Sequence, residues 1–125
     1  MRRSRLTLAA AASALIGAVA VPAVHARQTK EAPGYFIAEL EVTDPAGMQK
    51  YGEKVPETLA PFHHSYLVRA RAQALEGVPP KGVVVIAFDS VARAKEWYES
   101  PAYQALIPLR QAASRGRVFL LEGQP

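Results

Sequence analysis

The stretch Phe88-Asp-Ser-Val-Ala-Arg-Ala-Lys-Glu-Trp-Tyr-Glu-Ser-Pro-Ala-Tyr-Gln104 decides the fold. It continues the apolar run of residues 83–88, which predicts a central strand covered on both faces. Ser90 is a good N-cap for the helix that holds Trp97, the only tryptophan. Ser100-Pro101 repeats the cap-plus-proline signal. The stretch therefore predicts a strand, a helix and a further short helix that continues through Arg110.

The rest of the chain supplies the partners of this stretch. Residues 35–42 alternate between apolar and polar positions as a half-buried strand does. Asp44-Pro45 predicts the start of a helix, and Pro56 predicts a kink or a break within that helix. Residues 65–75 and 117–122 predict the second and the last strand. The order is strand, helix, strand, strand, helix, strand. This βαββαβ order predicts an α+β, ferredoxin-like split β-α-β fold, with a four-stranded antiparallel sheet and helices on one face.

The sheet face without helices is predicted to be apolar. Alternation places Ile37, Leu67, Val83 and Val85 on it. An apolar sheet face exposed to water favours aggregation, and a second copy of the chain is the simplest partner to cover it. We therefore expect a homodimer, in which two facing sheets form a barrel around a cavity.

The first 26 residues have the pattern of a secretory signal peptide. Arg2, Arg3 and Arg5 precede an uncharged apolar run over residues 6–21, and Val24-His25-Ala26 offers a cleavage site. The run is shorter than the ~20 residues of a spanning helix, so we expect no membrane attachment after cleavage. We expect cleavage after Ala26, a flexible leader over residues 27–34, a domain over residues 35–123, and a periplasmic or secreted product. The export route, general or twin-arginine, stays open.

Composition excludes several classes of function. The formal net charge of +4 comes from 15 basic and 11 acidic residues, and three of the arginines lie in the first five residues. The remaining chain is nearly neutral and has no clustered basic face, so we expect no nucleic-acid partner. With no cysteine, the chain can have no disulfide, thiolate nucleophile or cysteine-bound metal.

Several short motifs resemble one family. They are Gly34-Tyr35, Val42-Thr43-Asp44-Pro45, Tyr66-Leu67-Val68-Arg69, Ser100-Pro101-Ala102-Tyr103-Gln104 and Leu120-Leu121-Glu122-Gly123. Together they resemble a small bacterial domain family of unknown function, numbered thirteen-thirty, over residues 34–123. The resemblance implies a ferredoxin-like fold of the dimeric α/β-barrel superfamily and no established activity. The chain departs from the family where Phe62-His63-His64-Ser65 replaces a glycine turn.

His63 and His64 are the candidate catalytic residues. Imidazole titrates near neutral pH and suits a general base or a metal ligand. Adjacent residues of a strand point to opposite faces, and no metal-site spacing is present, so we expect no metal. The alternative is a polar connection between helix and strand. No motif for a cofactor is present, and we expect none.

The candidate ligand-binding residues centre on Arg69. If Tyr66 and Val68 face the helices, alternation turns Arg69 toward the cavity, with Glu39 as its partner on the neighbouring strand. The alternative is an ordinary cross-strand ion pair. The other candidates are Tyr35, which begins a strand and could lie at the rim, and Tyr103 and Arg110, which lie seven residues apart on one helical face. Trp97 and Tyr98 fit a packing stripe better than a site.

Three functions stay open from the sequence. The first is binding of a small, partly apolar ligand, anionic if Arg69 contacts it, in a cavity bounded by the sheet and either the helices or a partner sheet. The second is a cofactor-free enzyme, oxygenase-like or isomerase-like, that uses a cavity histidine. The third is a structural or interaction module. An inward-facing His63 or His64 would favour the enzyme.

Overall fold

The computed structural model describes residues 13–20 and 30–125. Residues 13–20 are exposed and have no regular secondary structure. The basic residues at the start of the chain and the predicted cleavage site after Ala26 lie outside the described residues. Within the described ranges, no helix is long and apolar enough to cross a membrane.

One antiparallel sheet organises the domain. The strands lie in the order β2-β3-β1-β4, so β1 and β3 are central and β2 and β4 are edges. This arrangement confirms the predicted four-stranded α+β fold. The elements in chain order are β1 Gly34–Val42, α1 Pro45–Leu59, β2 His64–Arg71, β3 Gly82–Phe88, α2 Val91–Glu99, α3 Pro101–Gln104, α4 Ile107–Ala113 and β4 Ser114–Glu122.

The predicted N-caps all form. The side chain of Asp44 accepts a hydrogen bond from the backbone N–H of Gly47 at 3.1 Å, and Ser90 accepts one from Arg93 at 3.1 Å. Ser100 caps α3 in the same way. The predicted break at Pro56 is absent, because α1 continues to Leu59. Pro56 lies in the last turn, where its missing N–H removes one helical hydrogen bond.

The core lies between the helices and the sheet. Trp97 is fully buried, and its ring stacks on Phe88 at 5.4 Å between centroids. Its ring centroid is 4.1 Å from that of Tyr103. Its indole N–H donates to the hydroxyl of Thr58 at 2.9 Å. The prediction that Trp97 belongs to the core is therefore confirmed.

Some predicted boundaries were wrong. The third helix is divided into α3 and α4, because Pro108 in the first turn of α4 has no N–H to continue the hydrogen-bonding of α3. Strand β2 ends at Arg71, four residues early, while β4 begins three residues early at Ser114. Gly116 permits the longer β4, since its φ of +152° is one that other residues rarely adopt.

A bulge in β2 changes which side chains face the helices. Tyr66 pairs with Ile86, but Val68 pairs with Val85, so Leu67 has no partner in β3. The extra residue reverses the alternation beyond it. Arg69 therefore lies opposite Val84, on the helix-facing side of the sheet. The predicted placement of Arg69 on the same face as Leu67, away from the helices, was wrong.

Candidate ligand-binding site

A cavity of about 780 Å³ lies between α1 and the helix-facing side of the sheet. Helix α1 packs mainly against α4 and stands away from the strands, whereas α2 contacts three strands directly. The edge strand β2 contributes Tyr66, Arg69, Ala70 and Arg71 to the lining of this cavity. Its walls are mostly apolar, and they include Phe36, Ala38, Leu40, Met48, Val55, Val84, Ile86 and Trp97.

Two arginines of β2 bring positive charge to the cavity. Arg69 and Arg71 both line it, and the guanidinium carbon of Arg69 lies 4.5 Å from the ring centroid of Tyr66. Among the described residues, no carboxylate lies within 4.0 Å of either guanidinium. Glu53 is the one acidic residue of the described lining, and it accepts a hydrogen bond from Gln49. The lining therefore has an excess of one positive charge.

A pair of tyrosines links the cavity to a buried cation. The hydroxyl of Tyr51, a lining residue of α1, lies 2.8 Å from the hydroxyl of the fully buried Tyr103. Burial raises the pKa of both tyrosines, and the nearby charge of Arg110 lowers each pKa in part. Arg110 is only 6% exposed, and its Nε has no hydrogen-bond partner among the described residues. Both hydroxyls are therefore neutral donors near pH 7.

The structure brings some of the predicted ligand-binding residues together and separates others. Arg69 lines the cavity, and Tyr103 and Arg110 lie behind Tyr51. Glu39 lies on the opposite, helix-free face, where its carboxylate is 2.5 Å from Nε of Arg117.

The predicted contact between Arg69 and Glu39 was therefore wrong for two reasons. The bulge turns Arg69 to the other side of the sheet, and β3 lies between the strands of the two residues, which are not neighbours. Tyr35, which begins β1, also faces away from the cavity, between Ala87 and Leu121 on its neighbouring strands.

Tyr51 was missed as a site residue. Its helical spacing fits the packing stripe of α1, so the sequence pattern alone presents it as core. The signal for a site role is the hydroxyl of Tyr51, because the hydroxyl of a buried tyrosine needs a hydrogen-bond partner.

His63 and His64 lie outside the lining of the cavity. The side chain of His63 is 81% exposed, and its Nδ1 lies 2.6 Å from the carboxylate of Asp89. His64 is half-buried, and its Nδ1 donates to the carbonyl of Phe62 at 2.7 Å. In the described part of the chain, no group of three histidine, cysteine, aspartate or glutamate residues could hold a metal ion.

The fold and the cavity define a ferredoxin-like α+β domain with a mostly apolar cavity between sheet and helix. The model of one protein family, described as "Domain of unknown function (DUF1330)", matches residues 33–124. The chain belongs to this family, as the motifs of the sequence indicate.

Solved structures share this fold at low sequence identity. A protein of unknown function from Rhodopseudomonas palustris is 18% identical, with a TM-score of 0.61 over 76% of this chain and 85% of that one. SnoaB, a cofactor-independent oxygenase from Streptomyces nogalater, is 10% identical, with a TM-score of 0.55 over 75% of this chain and 95% of that one.

A dimeric ferredoxin-like protein of unknown function from a Jannaschia species is 16% identical, with a TM-score of 0.53 over 74% of this chain and 99% of that one. No curated protein gives a significant match to the chain.

Proposed function

We propose that the chain is an exported protein that forms a homodimer and binds a small, partly apolar anion in the cavity between α1 and the sheet. The observation that carries this proposal is the combination of apolar walls with Arg69 and Arg71 against a single lining carboxylate. The volume of about 780 Å³ lies within the usual range of small-molecule sites.

Arg69 is the group that we expect to hold the anion. Stacking over the ring of Tyr66 restricts its planar fork, while its N–H groups can still donate. A bidentate contact with a carboxylate would then require little further ordering of the side chain.

Isothermal titration calorimetry with 4-isopropylbenzoate, a small apolar carboxylate, tests the site. Arg69→Lys keeps the charge but loses the fork, so we expect affinity to fall by about 1–3 kcal/mol while the fold persists. Arg93→Lys is the matched control, because Arg93 also stacks on a ring, that of Phe62, outside the cavity lining. Absence of binding to the wild type, or equal affinity in Arg69→Lys, would overturn the proposal.

The dimer would cover the helix-free face of the sheet. Half-buried or exposed apolar side chains occupy this face on all four strands, among them Ile37, Val68, Val83, Val85 and Phe119. The likeness to a dimeric ferredoxin-like protein supports a second copy as the partner.

Val85→Glu tests the interface by sedimentation velocity. Val85 lies on the central strand β3, between Ile37 and Val68. In a symmetric dimer the change buries two unpaired carboxylates, at about 3 kcal/mol or more each, so the dissociation constant should rise at least ~10⁴-fold. Gln111→Glu on the exposed side of α4 is the control and should leave the dimer intact. A wild-type monomer at micromolar concentration would contradict the proposal.

The export proposal is supported by the signal-like pattern of residues 1–26. Intact-mass measurement of protein from the periplasm should give a chain that begins at Arg27. A mass that still includes residues 1–26 would contradict it.

A second candidate function is a cofactor-free oxygenase, and the fold shared with SnoaB is the observation that favours it. No histidine is among the described lining residues, so the general base that such an enzyme needs is not supplied by His63 or His64 in this geometry. Oxygen uptake with 1-naphthol above the uncatalysed rate would support this candidate, and its absence would favour simple binding.

A further inference from the structure

We propose that Tyr51 is a hydrogen-bond donor to the ligand, oriented by Tyr103 and Arg110, and that the ligand therefore carries a neutral carbonyl oxygen in addition to its acid group. This inference rests on the proposed binding function and assigns the chemistry of the ligand's second polar group.

The position of Tyr51 carries the first step. It lines the cavity from α1, opposite the sheet residues that form the other wall. Its hydroxyl contacts the hydroxyl of Tyr103 at 2.8 Å, and Tyr103 is 0% exposed. The interior hydroxyl pair thus meets the cavity only through Tyr51.

The direction of the hydrogen bonds carries the second step. A guanidinium can only donate, so Arg110 acts on the oxygen of Tyr103 and cannot accept its proton. In the described structure, the hydrogen-bond partner of the Tyr103 hydroxyl is Tyr51. When Tyr103 donates to Tyr51, the O–H of Tyr51 is left free to donate into the cavity.

The buried charge carries the third step. Arg110 is 6% exposed, and no carboxylate among the described residues lies within 4.0 Å of its guanidinium. A cation without a counter-ion polarises the two hydroxyls in series and strengthens the last donor. Because burial raises the pKa of both tyrosines, Tyr51 donates as a neutral phenol and does not act as a base.

The groups that line the cavity define the chemistry of the ligand. Its acid group pairs with Arg69, its apolar body lies against the walls, and a ketone, ester or quinone oxygen accepts from Tyr51. A buried donor without an acceptor is unfavourable, so the cavity should prefer a ligand with the carbonyl over one of the same shape without it.

Two probes of nearly equal volume isolate this contact. Both 4-acetylbenzoate and 4-isopropylbenzoate have the carboxylate, but only the first has the acceptor oxygen. In calorimetry, the wild type should bind 4-acetylbenzoate about two- to tenfold more tightly, the effect of one neutral hydrogen bond. Tyr51→Phe should remove this preference, so that the two probes bind with nearly equal affinity. Tyr98→Phe, a tyrosine outside the cavity lining, is the control and should keep the preference.

Infrared spectroscopy gives a second readout that a purely structural role would not change. The carbonyl stretch of bound 4-acetylbenzoate should lie at lower frequency in the wild type than in Tyr51→Phe. Tyr51→Phe leaves the Tyr103 hydroxyl without its hydrogen-bond partner. If the single variant does not fold, the same measurements are made on the double variant Tyr51→Phe/Tyr103→Phe.

The outcomes separate the two proposals. If neither probe binds the wild type, the binding function fails and the Tyr51 inference fails with it. If both probes bind and Arg69→Lys weakens them, but neither the preference nor the carbonyl frequency depends on Tyr51, only the Tyr51 inference is overturned.

Discussion

The hydrogen bond between Trp97 and Thr58 should make a measurable contribution to stability. The substitution Thr58→Val keeps the shape and the β-branch of the side chain, so it opens no cavity and hardly changes helix propensity. It removes the acceptor of the indole N–H, and Trp97 is 0% exposed, so water cannot replace it.

The structure sets the size of this effect. A buried donor without a partner costs about 1–3 kcal/mol. The hydroxyl of Thr58 also donates to the carbonyl of Val55 at 2.7 Å, but that carbonyl lies within α1, where the helix supplies a further donor. We therefore expect the free energy of unfolding to fall by about 1–3 kcal/mol, and Tm by about 4–8 °C for each kcal/mol.

A double-mutant cycle tests the cause. Urea unfolding followed by far-UV circular dichroism is measured for wild type, Thr58→Val, Trp97→Phe and the double variant. Because Trp97→Phe removes the N–H, Thr58→Val should cost at least ~1 kcal/mol less in that background. A Thr58→Val variant within about 0.5 kcal/mol of wild type, or a coupling energy near zero, would refute the reasoning.

Four further predictions concern stability. Gly116→Ala should lower the free energy of unfolding by about 2 kcal/mol or more, because φ is +152° and the new Cβ would lie 1.9 Å from a carbonyl oxygen of β1. Gly52→Ala in α1, where a Cβ meets nothing within 4 Å, should raise it by about 0.4–1 kcal/mol in the same urea experiment. Asp44→Ala removes the N-cap of α1 and should cost about 1 kcal/mol, measured as a lower urea midpoint; an unchanged midpoint would contradict the cap. Stability should also fall as pH rises above 10, because the unfolded chain then releases the protons of Tyr51 and Tyr103 while the folded chain, with raised pKa values, retains them; a pH profile equal to that of Tyr51→Phe/Tyr103→Phe would contradict this.

Much of the fold could be predicted because its signals are local. Ser90 and Ser100-Pro101 fix helix starts through hydrogen bonds to residues three positions later, and such bonds depend little on the rest of the chain. The apolar run of residues 83–88 correctly predicted a central strand. Local signals of this kind predict the βαββαβ order without reference to tertiary contacts.

The site could be predicted only in part, because it depends on tertiary packing. Residues 64–71 contain no glycine or proline to mark a bulge, so alternation was extended through Leu67 and gave the wrong face for Arg69. The cavity exists because α1 stands away from the strands, a distance that no local pattern encodes. Tyr51 has the spacing of a core residue and differs from one only through the hydroxyl contact with Tyr103.

The unpaired Leu67 determines the charge of both faces of β2. With the bulge, the helix-free side of β2 presents Ser65, Val68 and Ala70, none of them charged. If Leu67 paired with β3 in strict alternation, with no bulge, both guanidinium groups of β2 would lie on that side. A homodimer formed through this face would then have to bury four like charges, and the cavity would lose both of its cations. The bulge at Leu67 thus decides which surface of β2 is apolar and which is charged.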